Sequence, residues 1–251
     1  GFWNDDFKVT SLKLRGGYGF TGSDGIGDFR YLSIVGGGRN YTIGNPAVIQ
    51  PGNSPDAPAN PDLKWESTGQ ADIGIDVAFY ENWNASLDFY NKKTTGILQP
   101  VDIPGYVGAT GLPVGNVADM VNKGVEFDLG YRKSFGDFNL SVNGNVSYLE
   151  NEVTYLGLGK EYITDGAAGF QSMGSITRTQ VGQPFNSFYG YKTNGIFQTT
   201  EEVASYVGES GTPIQPNAQP GDFKWTDTNG DGKITDDDKT FIGSSIPNVT
   251  Y

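Results

Sequence analysis

The sequence predicts an all-β protein built from long antiparallel strands. Three observations carry that prediction. Apolar and polar residues alternate strictly over long runs, such runs are joined in pairs by very short turns, and the composition is rich in glycine and aromatic residues. Glycine makes up 37 of 251 residues, about twice the average share, and aromatics make up 13%. With few helical runs, that composition belongs to sheets and turns.

In chain order, the first strand falls at about residues 8–20, with Leu12, Leu14, Tyr18 and Phe20 on one face and Ser11, Lys13 and Arg15 on the other. A loop rich in Gly, Pro and Asn follows, from Thr21 to Asp62. The strand at about 65–80 sets Ala71, Ile73, Ile75, Val77 and Phe79 against Asp72, Gly74, Asp76, Ala78 and Tyr80. Period two puts each set on its own side of a sheet. After the turn Glu81-Asn82, residues 83–94 repeat the pattern, with Trp83, Ala85, Leu87 and Phe89 against Asn84, Ser86, Asp88 and Tyr90. Two long strands joined so briefly form a hairpin.

A loop carrying Pro100, Pro104 and Pro113 separates this hairpin from the next. Strands at 122–134 and 137–150 flank a tight turn, Ser134-Phe135-Gly136-Asp137. Val125, Phe127, Leu129 and Tyr131 share one face of the first, and Phe138, Leu140, Val142, Val146 and Tyr148 share one face of the second. Gly144 interrupts that face, as glycine does at a bend or a close contact. From Glu150 the periodicity fades, and residues 151–251 read as mainly loop. Within them Thr200–Tyr206 reads as a short helix capped by Thr199 or Thr200, with acidic residues in its first turn. Long irregular segments of this kind usually serve function.

Charge and composition exclude several classes. Lys and Arg number 17 against 29 Asp and Glu, giving a net charge of −12, so the basic stripe of a nucleic-acid surface is missing. There is no Cys and no His, which excludes a disulfide scaffold, a thiol nucleophile, an imidazole metal site and a Ser-His-Asp triad. No apolar run reaches the length of a transmembrane helix. Gly1-Phe2-Trp3-Asn4 shows no export signal, so any such signal is expected outside this chain. Neighbouring acids such as Asp5-Asp6 or Asp236-Asp237-Asp238 do not single out a glycosidase pair. The chain is not read as an enzyme.

Two all-β architectures fit the residues. A transmembrane β-barrel needs tilted strands of about 9–11 residues, short turns at one rim and long loops at the other. Its lipid-facing and lumen-facing residues alternate, and closure satisfies every strand edge. A secreted, calcium-stabilised β-sandwich that binds carbohydrate would alternate too, and its exposed Tyr and Trp would supply platforms for sugar rings. Aromatics at strand ends, such as Tyr80, Trp83, Tyr131 and Tyr148, suit interfacial girdles and sheet edges alike.

One motif carries chemistry. Residues 227–238 read Asp-Thr-Asn-Gly-Asp-Gly-Lys-Ile-Thr-Asp-Asp-Asp, the spacing of a calcium loop. Asp227, Asn229 and Asp231 would fill positions one, three and five, and Gly232 allows the turn at six. Lys233 would give its backbone carbonyl, Thr235 would act at nine and Asp238 would close the loop at twelve. Ca2+ is a hard cation that takes 6–8 oxygen ligands. Asp at twelve, where a Glu is usual, resembles a dockerin-type loop, and Asp236 or Asp237 would be the residues to assist it. Without a metal, the same residues would make a solvated turn. The stretch Gly221-Asp222-Phe223-Lys224-Trp225 before it looks extended rather than helical, so the expected role is structural.

Several motifs together resemble SusC/RagA-like TonB-dependent outer-membrane transporters. They are Asn60-Pro61-Asp62-Leu63-Lys64-Trp65-Glu66, Leu12-Lys13-Leu14-Arg15 with Tyr18-Gly19, Asp88-Phe89-Tyr90-Asn91-Lys92-Lys93-Thr94 and Asn122-Lys123-Gly124-Val125-Glu126. Gly190-Tyr191, Gly195-Ile196-Phe197 and the stretch from Gly221 through Asp238 to Pro247 extend the match. Trp65 and Trp225 lie inside these motifs and are read as structural.

The resemblance implies an antiparallel segment of a plugged 22-stranded transmembrane barrel, with residues 151–251 a mainly extracellular loop region. It implies residence in the Gram-negative outer membrane and import of glycan oligosaccharides or peptides. A SusD-like lipoprotein would act as the lid, and TonB–ExbB–ExbD would supply energy through an N-terminal part absent here. At about 20–25 residues per strand and connection, so large a barrel exceeds this chain, which is therefore expected to be one piece of it. No substrate-contact residue can be assigned.

Overall fold

The computed structural model describes residues 8–23, 25, 27–164 and 174–251. Asp5 and Asp6 lie outside the described residues. The chain divides into two units, one of residues up to 160 together with 248–251, the other of residues 161–247.

The first unit opens with β1 (Val9–Ser23). A loop follows with four very short strands, β2 (Val35–Gly36), β3 (Tyr41–Ile43), β4 (Val48–Gln50) and β5 (Ser54–Pro55), paired β2 with β5 and β3 with β4. Four long strands come next: β6 (Glu66–Phe79), β7 (Trp83–Pro100), β8 (Val114–Phe135) and β9 (Phe138–Leu156). They form an antiparallel sheet in the order β1-β6-β7-β8-β9, and a short strand at Val249–Thr250 pairs beyond β9.

Register turns the alternation into two faces. Leu14, Ile75, Leu87, Phe127 and Val146 line up across five strands, and the next row is Arg15, Gly74, Asp88, Glu126 and Ser147. A one-residue slip would exchange the faces, so the pattern itself pins the register. The apolar face is uncovered: Leu14 is 70% exposed and Phe20 69%. A sandwich would bury that face under a second sheet, so the sandwich alternative is set aside. At the short-turn end Phe79 stacks on Trp83 at 6.2 Å, and Trp83 meets Tyr131 at 4.7 Å, as in a membrane-interface girdle.

The strands run further than alternation alone indicates. About half of the segment between 94 and 122, read from sequence as loop, is strand, because β7 reaches Pro100 and β8 begins at Val114. Irregular pairing between Thr94 and Ile97, and between Asp119 and Met120, shifts the faces there and breaks the period. The remaining connection carries one 3-10 turn, Gly105–Val107. Arg39 ties it to the loop before β6, donating to Asp56 at 3.2 Å and to the Thr110 hydroxyl at 2.6 Å.

The second unit is more folded than a loop. It contains β10 (Tyr162–Thr164), β11 (Thr177–Gln180), β12 (Ser187–Tyr191), β13 (Thr193–Ile196), the helix α1 (Thr200–Ser205), β14 (Phe223–Trp225) and β15 (Lys239–Gly243). One sheet runs β10-β11-β12-β15, and β13 pairs with β14. The chain then returns to the first unit as β16 (Val249–Thr250). Thr199 caps α1 by accepting from the Glu202 N–H at 3.2 Å. Phe197, 1% exposed, packs on Tyr206 at 5.8 Å between rings. No helix among the described residues is long and apolar enough to cross a membrane, which says nothing of strands.

Candidate functional site

Two polar arrangements stand out, one in each unit. On the polar face of the long sheet, Arg15 reaches across two strands. Its guanidinium makes a two-point bond to Asp76, at 2.9 Å each, and a further bond to Asp88 at 2.7 Å and to the Ser86 hydroxyl at 3.2 Å. Paired carboxylates opposite a planar fork are the geometry Arg favours. Gly74 makes the approach possible, since a Cβ there would stand 2.1 Å from an Asp88 carboxylate oxygen. Sequence reading did not find this network, because its partners lie 61 and 73 residues away.

The second arrangement is the loop 227–238. Gly230 and Gly232 take the left-handed backbone, with φ of 78° and 80°, which glycine adopts without penalty. The loop then folds back on its own side chains. Asp227 accepts from Gly230 N–H at 2.6 Å through one oxygen and from Gly232 N–H at 2.7 Å through the other. Asn229 Oδ1 accepts from Asp231 N–H at 2.8 Å, and Asp231 Oδ1 from Lys233 N–H at 2.9 Å.

Asp238 closes the loop from within. It is fully buried and accepts from Thr228 N–H at 2.9 Å and from Thr235 N–H at 2.7 Å. Burial alone would raise its carboxyl, but donors from the Thr235, Thr228 and Asn229 backbone outweigh burial and hold it below the usual carboxylate range. Thr228, which the spacing did not flag, also gives its hydroxyl to the Asp238 carbonyl at 2.9 Å.

Of the six residues singled out from sequence, the fold brings the carboxylates of Asp227, Asp231 and Asp238 together, with one oxygen of each within 4.8 Å of the others. Asn229, Lys233 and Thr235 lie in the same turn. Lys233 uses its N–H on Asp231, and Thr235 turns its hydroxyl to Asp237 N–H at 3.3 Å, capping the 3-10 turn Asp236–Asp238. Asp236 faces elsewhere: it pairs with Lys239 at 2.8 Å and accepts from the Tyr191 hydroxyl at 2.9 Å. The Lys239 bond, then the Tyr191 bond, holds the Asp236 carboxyl below its usual range.

The donor set suits a hard cation. A carboxylate offers about four lone-pair sites, so oxygens that each take a backbone N–H keep capacity for an ion. Three converging acids without such an ion repel one another.

A long antiparallel sheet with one uncovered apolar face, one polar face, short turns at one rim and long folded connections at the other defines the wall of a transmembrane β-barrel. Residues 3–233 match the TonB dependent receptor-like β-barrel family, and the chain belongs to that family. It is 30% identical to TonB-dependent receptor P3 of Formosa agariphila over 99% of this chain and 24% of that protein. It is likewise 30% identical to TonB-dependent receptor SusC of Bacteroides thetaiotaomicron, over 95% of this chain and 22% of that protein. A solved RagAB peptide transporter superposes with a TM-score of 0.70 and 27% identity, over 96% of this chain and 24% of the other.

The chain thus spans about a quarter of the length of the curated relatives it matches. It is a portion of a SusC/RagA-like barrel of the Gram-negative outer membrane.

Proposed function

We propose that the protein to which this segment belongs imports oligosaccharides or peptides across the outer membrane, energised through TonB–ExbB–ExbD and lidded by a SusD-like surface lipoprotein. The observation that carries this reading is the family match over residues 3–233, joined to likeness with a RagAB peptide transporter and with SusC. In such a barrel the polar face bearing Arg15, Asp76 and Asp88 lines the interior, and the apolar face meets lipid. The long connections, including 161–247, belong to the cell-surface rim.

In the same reading the loop 227–238 holds Ca2+. Side-chain oxygens of Asp227, Asn229, Asp231 and Asp238 would supply most of the ligands, with the Lys233 carbonyl and Thr235 completing the set. The ion would neutralise the acids and fix the loop. The carboxylate cluster Asp227, Asp231 and Asp238 supports this reading.

The test uses the full-length protein in its own outer membrane. Deleting its gene is expected to abolish uptake of one labelled oligosaccharide or peptide class, and purification is expected to recover a surface lipoprotein with the barrel. Unchanged uptake of both classes, with no lipoprotein recovered, would overturn the reading.

A further inference from the structure

One buried cation in the second unit lacks the acceptors its chemistry calls for. Arg178 lies on β11, and its side chain is 14% exposed. Its Nε is buried without a hydrogen-bond partner. Its terminal nitrogens make no hydrogen bond to a described residue either. Glu161 comes within 4.0 Å of one of them, too far to hydrogen-bond, and its own side chain is 80% exposed. A buried guanidinium normally directs its donors at acceptors, because leaving them unmet costs free energy.

Two rings hold that cation in place. Pairing sets Thr164, Arg178 and Ser187 in one row across β10, β11 and β12. Tyr162 stands beyond that row on the side of Gln180, and Tyr189 beyond it on the side of Ile176. The guanidinium carbon lies 3.6 Å from the centre of the Tyr162 ring and 4.6 Å from that of Tyr189. Rings attract the cation through its faces, but they supply no acceptor for the N–H groups in its plane. They also fix the fork before any acceptor arrives, so little side-chain freedom remains to be lost on binding. Tyr162 is 44% exposed, so its side of the clamp is open to solvent.

We infer that Arg178 receives the C-terminal carboxylate of a peptide. Its terminal N–H groups would bond the carboxylate oxygens in the plane of the fork, while Tyr162 and Tyr189 keep their places on its faces. Glu161, exposed and without a hydrogen bond to Arg178, would swing outward. Charge selects the class of ligand. Residues 161–247 hold 11 acids against 5 bases, so the surroundings repel a ligand of repeated negative charge, such as a uronic-acid oligosaccharide. A peptide needs only one carboxylate, and it brings an ammonium group and basic side chains with it. The inference rests on the transporter reading, which sets this unit at the cell surface, and narrows its substrate to peptides.

The experiment uses the full-length protein, purified in mild detergent with any lipoprotein it retains. It is offered an equal mixture of random hexapeptides ending in a free carboxylate, the same hexapeptides amidated at that end, and a uronic-acid trisaccharide. Mass spectrometry reads what stays bound after washing. Wild type is expected to retain the free acids about tenfold over the amides, the scale of one charge-assisted hydrogen bond, and to retain them over the trisaccharide. Arg178→Met is expected to bring the ratio of acid to amide near one. Glu161→Gln removes a competing carboxylate and is expected to raise that ratio about twofold, the scale of an exposed ion pair. Because Glu161 is exposed, this variant reads the site even if Arg178→Met fails to fold, which heat-modifiable gel mobility would show. A wild-type ratio near one, a ratio that neither variant moves, or stronger retention of the trisaccharide would overturn the inference. Uptake by cells is measured separately. Peptide uptake without preference for the free acid would reject the site alone, whereas uptake of neither peptide nor oligosaccharide would reject the transport reading.

Discussion

The Tyr90 hydroxyl lies 2.5 Å from the point where a Cβ on residue 124 would stand, and the Tyr148 carbonyl oxygen lies equally near. Gly124 is therefore fixed by space, from β7 on one side and from the backbone of β9 on the other. Rotating Tyr90 away would relieve only half of the clash.

Gly124→Ala is expected to destabilise the barrel by about 1–3 kcal/mol, the usual cost of overpacking. The check is heat-modifiable gel mobility of the full-length protein in detergent, where the variant should convert at lower temperature. Adding Tyr90→Phe should recover only a small part of the loss, because the Tyr148 carbonyl and the residue 90 ring carbon Cζ, 2.7 Å from the added Cβ, stay in place.

Arg15, Asp76 and Asp88 act as one group. Arg15→Met should lower the unfolding midpoint by leaving two facing carboxylates without their shared cation. In a double-mutant cycle Arg15→Met and Asp88→Asn should be non-additive, with the pair less harmful than the sum. Additive losses would show that the bridge contributes nothing at this site.

Removing an acid from the loop 227–238 should weaken calcium binding. Isothermal titration of the full-length protein is expected to show roughly tenfold or greater loss of affinity for Asp231→Asn. Chelation should expose the same segment to protease in wild type. Wild-type protein that takes up no calcium at millimolar concentration would reject the site.

Glu202 supplies a pH prediction. Its carboxylate accepts from Gln198 N–H at 2.9 Å and pairs with Lys224 at 3.2 Å, and these, in that order, hold its carboxyl below the usual range. A depressed folded value means a stabilising contribution that is complete above the ordinary carboxylate range and lost as pH falls through the lowered value. Hydrogen exchange at Gln198, corrected for intrinsic rate, should lose protection on acidification in wild type. In Glu202→Gln that pH dependence should be absent.

What the sequence disclosed and what it hid follow one rule. Alternation was legible wherever a strand keeps one face to a uniform surroundings, as from Ala71 to Tyr90 and from Val125 to Tyr148. It failed at Thr94–Ile97 and Asp119–Met120, where the pairing shifts. The strands around Thr177–Gln180 and Ser187–Tyr191 are too short to show a period. The acidic loop was legible because its residues are close in sequence. The Arg15 network was not, because no local spacing announces a partner two strands away.

Gly74 and Gly124 have a consequence for the space inside the wall. Without a Cβ beneath them, Asp88, Arg15 and the Tyr90 ring settle sideways against the backbone instead of standing upright. The polar lining is thereby kept thin, so an interior crowded with charged and aromatic groups still leaves headroom for whatever occupies it. A single added methyl group would lift the neighbouring side chain off the wall and narrow the bore from within, with no change in strand number or tilt.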